Sequence, residues 1–481
     1  MKTVEKKTGD PSDPHSLFSA YAQKMAADGA PAIVINAFKE HFRQFCNGNQ
    51  AYLSEAMISP VLPDEIPEMQ TLGGYKEAGY TALPRTAILK LNGGLGTSMG
   101  LEGPKSFLPV REGRSFLDLI LSQVDQLRKL YDAPLPLLLM NSFWTEEPTR
   151  ERLHGLVNGD PHIPMTFMQH RYPRIRKDTL APLTFRAAPE LEWNPPGHGD
   201  IYTALLTTGL LRKLLLNGYR YVFVSNSDNL GATFDASLLG YMVKEEIPFL
   251  MEVCQRTAHD RKGGHLVKLG GAAGPLGLRE VAQCSPEDMD AFQDIDNYSF
   301  FNTNSIWLDL RAVERAFLKY KQFALQLIVN PKRVVPGDTE SPWVYQLETA
   351  MGSALSMFDG ARAVMVPRNR FSPVKTISDL MLTMSDCFQV TDDNSVIRAN
   401  AWRELPKITL DPNIYSTIDS FFARFPQGVP SLEGCRELSI HGDVRFQADV
   451  KLNGEVRIVN TSQRQAVIPP GHNLSGEIAI A

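Results

Sequence analysis

The chain is organised around Leu91-Asn-Gly-Gly-Leu-Gly-Thr-Ser-Met-Gly100, followed by Leu-Glu-Gly-Pro-Lys105-Ser. It leaves a short apolar run, Thr86-Ala-Ile-Leu-Lys-Leu91, which reads as a buried strand. Four glycines in ten positions let the backbone turn tightly and approach a bound group. Successive N–H groups in such a loop can cradle phosphate oxygens, and Lys105 adds a mobile positive charge suited to them. No Gly-Lys-Ser/Thr follows at Walker A spacing, and Gly94-Leu-Gly96 lacks the third glycine of the dinucleotide fingerprint. Taken alone, an ordinary strand-to-helix turn accounts for the stretch equally well.

Downstream, strands and helices alternate. Ser115 can cap a helix through Tyr131 with Leu117, Ile120, Leu121, Val124 and Leu127 on one face. Pro136 to Met140 reads as a strand, Glu146 to Val157 as a helix, and Met165 to Gln169 as a short strand. Asp200 can cap a helix running to Leu216, and Tyr219 to Ser225 and Phe249 to Val253 are β-prone. This alternation predicts an α/β fold with a doubly wound, mostly parallel sheet. Ligands of such sheets bind beyond the carboxyl ends of the strands. The opening loop, Gln169, Asn226 and Asp228 all fall just past a predicted strand.

Upstream, apolar residues between Ser16 and Phe45 recur at helical spacing, giving two helices broken at Gly29-Ala-Pro31. Residues 1 to about 15 read as a frayed end, and 58 to 84 as an extended connection. The tail differs in kind. From residue 438 apolar residues return every six, at Leu438, Val444, Val450, Val456, Ile468, Leu474 and Ile480, with Ser462 the one break. Ile440, Phe446, Leu452 and Ile458 form a second series two residues behind. A hexapeptide period predicts a parallel β-helix rather than a meander of hairpins. The expected division is an N-terminal helical segment at 1–80, a catalytic domain at 81–385 and a β-helix at 386–481. The open ends of the β-helix offer a surface for a homo-oligomer.

A net charge of −5 leaves no basic footprint for nucleic acid or an anionic membrane, so any phosphate binding must be local. The five cysteines are scattered without a Cys-x-x-Cys pair, which argues against disulfides and structural zinc. With no signal-peptide core at the start and no long apolar run, the expectation is a cytoplasmic protein.

Other stretches carry chemistry. In Trp193-Asn-Pro-Pro-Gly197-His198-Gly199-Asp200, the glycines leave room beside a ligand and His198 stands at a helix start. Asn226-Ser-Asp228-Asn follows the strongest strand, where an acidic residue can hold Mg²⁺ beside a phosphate or merely close an Asx-turn. Gln169-His-Arg-Tyr-Pro-Arg offers an amide able to read a base edge. Lys262-Gly-Gly-His265 lets backbone approach a ligand, and Phe300-Phe-Asn302-Thr-Asn304 ends a strand with two amides suited to sugar hydroxyls. Pro367-Arg-Asn-Arg-Phe-Ser-Pro-Val-Lys375-Thr follows the strand from Ala361 to Val366 and gathers cations, of which Lys375 can reach a phosphate.

Together these motifs resemble the eukaryotic-type UTP–glucose-1-phosphate uridylyltransferase (UDP-glucose pyrophosphorylase) family. They run in the family's order over roughly residues 86 to 380 and include Gln346-Leu-Glu-Thr-Ala-Met-Gly352. The resemblance implies a nucleotide-diphospho-sugar transferase-like fold and reversible conversion of UTP and glucose 1-phosphate to UDP-glucose and pyrophosphate, with Mg²⁺ as cofactor. It implies nucleotide binding by Leu91, Asn92, Gly93, Gly94, Lys105, Gln169, Gly197, Asn226, Ser227 and Asp228, with Asp228 on the metal. It implies sugar-phosphate binding by His198, Gly264, Glu280, Asn302, Asn304 and Lys375, and catalytic roles for Lys375 and Lys105. Asn194, Ser227 and Ser305 depart from residues common in the family, but none removes a needed charge. Alternatives are a pyrophosphorylase for another or a broader set of UDP-sugars, a dinucleotide-dependent oxidoreductase, and a scaffold built on the β-helix. The oxidoreductase lacks the acidic residue about twenty positions past the loop, and the scaffold leaves the lysines and Asp228 unexplained.

Overall fold

The computed structural model describes residues 14–48, 52–257, 260–261, 263–392, 394–400 and 404–480. Lys262 and most of the predicted frayed end lie outside them. The Thr86–Leu91 strand is central, as its apolar run requires. It pairs in parallel with Tyr221–Asn226 on one side and Leu137–Asn141 on the other, and Thr166–Met168 continues the parallel ladder. This parallel half is buried among three apolar clusters, one holding Ala87, Leu89, Val222 and Val224 and the other two holding Ile88 and Phe223. The other half of the ten-stranded sheet adds antiparallel strands: Phe300–Asp309 lies against Tyr221–Asn226, then come His265–Leu269 and Ile58–Pro60. Phe249–Gln255 branches from Phe300–Asp309 and pairs in parallel with Arg362–Met365. The fold is therefore mixed α/β, and the parallel ladder carries the opening loop.

Local expectations hold where one residue dictates them. Ser115 caps Phe116–Tyr131, and Asp118 answers it with a bond to the Ser115 N–H at 3.0 Å. Helices Pro14–Ala27 and Ala32–Cys46 break at Gly29 as read. Other expectations need correction. The predicted helix to Leu216 is two, Ile201–Thr207 and Leu210–Leu216, parted by Gly209 at φ +73°. The helix from Glu146 ends at Arg152. The 58–84 connection folds into a seven-residue 3-10 segment, Met69–Tyr75, and a short helix, Lys76–Ala82. Asn302 and Asn304 lie inside a strand that continues to Asp309, not at its end.

In the tail, Leu438 pairs with Val456 and Ile440 with Ile458, all in parallel register. Three hexads on from Leu438 and Ile440, the chain thus returns to the same parallel ladder. Val444 pairs with Ala466 rather than Ser462, because the Thr461–Arg464 segment interrupts the repeat. Ser462 breaks the series because it sits in that turn, with its Oγ donating to Asn460 Oδ1 at 2.8 Å. The tail's inward residues share one apolar cluster with Phe116, Ile120, Val124, Leu380 and Met381. Burial thus crosses the boundary expected at 385/386.

Candidate active site

Most of the predicted residues sit at or just past a strand end, with Asn302 and Asn304 inside a strand, and contacts lead from one to the next. Asn226 is in register with Leu91, and the Ser227 N–H donates to Leu91 O at 3.1 Å. The opening and Asp228 loops therefore emerge side by side. Gly96 and Gly100 adopt left-handed backbone, which folds the loop back so that the Lys105 N–H reaches Gly94 O at 3.0 Å. Lys105 Nζ then bonds Asp228 Oδ2 at 2.6 Å, joining the two loops. Asp228 Oδ1 is buried with no hydrogen-bond partner.

Beside the opening loop, a Cβ at Gly93 would stand 2.2 Å from Gln169 Nε2. Gln169 is buried, its N–H is tied to Asn141 O at 2.8 Å, and its Oε1 has no partner. Gly93→Ala should push the amide aside without unfolding the chain, because only a side-chain tip must move. The expected result is binding of a ligand that uses this amide weakened roughly tenfold, the worth of about one hydrogen bond, with an unchanged melting temperature. Equilibrium binding and thermal melting of the variant check it.

Lys375 arrives from the other side. Val374 N–H donates to Asp228 O at 3.3 Å, and Lys375 opens the helix Ile377–Met384, capped by Thr376. Its side chain is exposed, and its charge acts on Glu280. Burial raises the Glu280 carboxyl, and the Lys375 cation opposes that rise. Glu280 lies over Gly264, where a Cβ would come within 2.5 Å of both carboxylate oxygens. The Asn302 N–H donates to Gly264 O at 3.1 Å, and the Asn302 and Asn304 side chains are bonded at 3.0 Å. Asn304 takes φ +57° at a bulge opposite Glu252 and Val253. A Cβ at Gly352 would lie 3.2 Å from Asn302 Nδ2, and the neighbouring Met351 N–H donates to His198 Nδ1 at 3.1 Å. That bond leaves the proton on Nε2, while burial holds the His198 ring neutral, at about 4.

Four residues act otherwise than the sequence implied. Asn92 turns its amide inward, donating to Asn141 Oδ1 at 2.7 Å and Thr149 Oγ1 at 3.1 Å, so only its backbone faces the loop. Gly197 makes room for chain rather than ligand: a Cβ there would stand 2.4 Å from Thr349 O. Gly199 likewise clears Thr349 Oγ1. Asp200 makes no helix-capping side-chain bond. It accepts from the His170 N–H at 2.7 Å and from its ring. Sequence reasoning also missed Asn229, Arg370, Glu252 and Lys90, whose buried bonds hold these loops. Asn229 stood inside a quoted motif and Arg370 inside another, but their partners lie over a hundred residues away.

Histidine burial has a consequence for stability. Desolvation lowers His198 and His41 to about 4 and His265 to about 3. Each folded value lies below the unfolded one near 6.5. The unfolded chain therefore binds protons first as pH falls from about 6.5 towards about 4, and stability declines through that window. Melting temperatures measured from about pH 7.5 to about pH 5 should fall below about pH 6.5; a flat profile contradicts the burial argument.

The sequence model of the UTP–glucose-1-phosphate uridylyltransferase family matches residues 35–453. The protein of that name from Saccharomyces cerevisiae is 40% identical over 92% of this chain and 88% of its own length. The one from Solanum tuberosum is 40% identical over 81% of this chain and 80% of its own. Among solved structures, a UDP-glucose phosphorylase from Trypanosoma brucei superposes with a TM-score of 0.88 at 42% identity, covering 97% of this chain and 100% of that one. A mutant UDP-glucose pyrophosphorylase from Leishmania major, in complex with UDP-glucose, gives a TM-score of 0.88 at 40% identity over 97% of this chain and 99% of its own. The chain belongs to the UTP–glucose-1-phosphate uridylyltransferase family.

Proposed function

We propose that this chain transfers the uridylyl group of UTP to glucose 1-phosphate, giving UDP-glucose and pyrophosphate reversibly. The observation that carries the reading is the Lys105–Asp228 pair set beside Lys375 across adjoining strand ends. A phosphate-binding loop, one carboxylate and two lysines are the parts that nucleotidyl transfer needs. An oxygen of the sugar phosphate attacks the α-phosphorus as the bond to the leaving pyrophosphate breaks in line. The nucleophile is already anionic, so the work is to hold two polyanions together and stabilise charge. Lys375 binds the sugar phosphate and the charge developing at the α-phosphoryl group. Lys105 exchanges Asp228 for the leaving phosphates, assisted by N–H groups of the opening loop. Gln169 reads the uracil edge with its free Oε1 and its Nε2 beside Gly93. Leu91, Gly94, Asn226, Ser227 and the backbone of Gly197 line the nucleotide, while Gly264, Glu280, Asn302, Asn304 and the His198 Nε2–H serve the sugar phosphate.

The orphaned Asp228 Oδ1 fits Mg²⁺, which takes one or two carboxylates and completes its shell with phosphate oxygens and water. The ion would supply positive charge to those oxygens. Among the described residues no group of three or more His, Cys, Asp or Glu could hold a metal, which suits an ion held largely by its substrate.

The catalytic domain is assigned to 81–385, with a helical segment before it and a short parallel β-helix after it. The parallel return of Leu438 and Ile440 to Val456 and Ile458, and of Ile458 to Ile478, supports the β-helix. Homo-oligomers through that module and a cytoplasmic location complete the reading; no helix of the described residues is long and apolar enough to cross a membrane. A panel of sugar 1-phosphates tests the substrate. Glucose 1-phosphate should give the highest kcat/KM, and equal turnover of galactose or N-acetylglucosamine 1-phosphate favours the broader pyrophosphorylase.

A further inference from the structure

Among the described residues none holds the Lys375 side chain by a hydrogen bond or ion pair, yet the backbone that carries it is pinned at several points. The segment from Pro367 leaves the Arg362–Met365 strand, makes one turn at Arg368–Arg370 and runs past the Asp228 loop. Arg370 points back beneath the loops. Its guanidinium bonds Glu252 twice, at 2.8 and 2.7 Å, and donates to Thr233 O at 2.8 Å. Trp307 Nε1 donates to the same Glu252 carboxylate at 2.9 Å, so both ions are buried and well satisfied. The residue after Asp228 closes the join. Asn229 Nδ2 donates to Arg370 O at 3.0 Å, and Asn229 Oδ1 accepts from the Ser372 N–H at 3.0 Å. A single buried side-chain amide thus serves as a strand would, engaging one carbonyl and one N–H of the passing segment. Gly231 permits this approach, since a Cβ there would stand 2.2 Å from Asn369 O.

The other end of the loop is tied as well. Lys90, buried on the opening strand, donates to Ser225 Oγ at 2.7 Å and Ala232 O at 2.8 Å. Burial first, and then the Arg370 charge, pull its ammonium down to about 7. The opening strand, the Asp228 loop and the Lys375 segment are therefore joined through a shared buried network that reaches none of the predicted ligand-contacting groups directly.

We propose that Asn229 and Arg370 are positioning residues: they clamp the Lys375 segment to the Asp228 loop, so that the lysine and the metal-site carboxylate meet the phosphates as one rigid unit. The inference rests on the roles assigned above to Lys375 and Asp228. A catalytic group displaced by about 1 Å loses on the order of a hundredfold in rate, so releasing the clamp should lower kcat while leaving UTP affinity nearly intact.

The test is a double-mutant cycle between Asn229→Ala and Lys375→Ala, scored by kcat for UDP-glucose formation, with Asn229→Asp as the milder variant. Near-ultraviolet circular dichroism and UTP binding accompany each protein. The expected result is a kcat loss of roughly tenfold to a hundredfold for Asn229→Ala, a smaller loss for Asn229→Asp, and UTP affinity within about threefold of the parent. In the Lys375→Ala background, Asn229→Ala should add little further loss, because it acts through the missing lysine. Losses that multiply in full overturn the clamp, as does a full-rate Asn229→Ala. If Asn229→Ala fails to fold, the same cycle run with Asn229→Asp decides by the same criteria. Near-parental activity of Lys375→Ala alone would instead overturn the role given to Lys375, so the two failures are distinct.

Discussion

Lys375→Ala should lower the rate of UDP-glucose formation by on the order of a hundredfold or more, while the KM for UTP stays close to the parent's. The side chain is exposed and its ammonium makes no hydrogen bond among the described residues, so its removal should cost little stability. In the proposed role, what disappears is a cation that meets the incoming sugar phosphate and the charge that grows only at the transition state. Lys375→Arg keeps the charge but changes its shape and reach, and should recover only part of the rate. Steady-state kinetics with both substrates varied check this. A loss confined to KM for glucose 1-phosphate, with kcat intact, would reduce Lys375 to ground-state binding.

Asp228→Asn should be as severe, about a hundredfold to a thousandfold in turnover, and should displace the Mg²⁺ dependence to higher concentration. The substitution preserves size and the contact that Lys105 makes, but removes the charge that a divalent ion requires. Lys105→Ala then serves as the contrast. It should weaken turnover and leave the Mg²⁺ requirement in place, because it takes away a phosphate partner and not the ion's ligand. Rates measured across a Mg²⁺ titration separate the two variants, and an Asp228→Asn enzyme with the parent's Mg²⁺ curve would remove Asp228 from the metal site.

Much of this site was legible because its parts are local. The run Thr86 to Leu91 is apolar enough to be a strand wherever it sits, and the glycines after it need no partner to be read. Short polar motifs after strands mark loops, and parallel strands place such loops at one edge. Hence Lys105, Gln169, Asp228 and Lys375 stand out as candidates from the sequence alone. Reasons that depend on distant chain were not legible. Gly197 looked like space for a ligand and is space for Thr349. Asp200 looked like a cap and is an acceptor for His170. Asn92 looked like a loop residue and is a buried donor to Asn141. Arg370 and Glu252 are 118 residues apart, so neither motif hinted at their pairing.

The tail teaches the same distinction. Its period of six is a local property and was visible. That three hexads return to one ladder, and that the Thr461–Arg464 turn shifts the pairing of Val444 to Ala466, depends on how sides meet across the module. Its shared core with Phe116 and Met381 was equally out of reach of periodicity.

The most direct measurement of the central claim is a coupled pyrophosphate-release assay with UTP, Mg²⁺ and glucose 1-phosphate, each omitted in turn and other nucleotides substituted for UTP. The account predicts release only when all three are present, with UDP-glucose formed in equal amount. Release without glucose 1-phosphate, or no release with the full mixture, would contradict it.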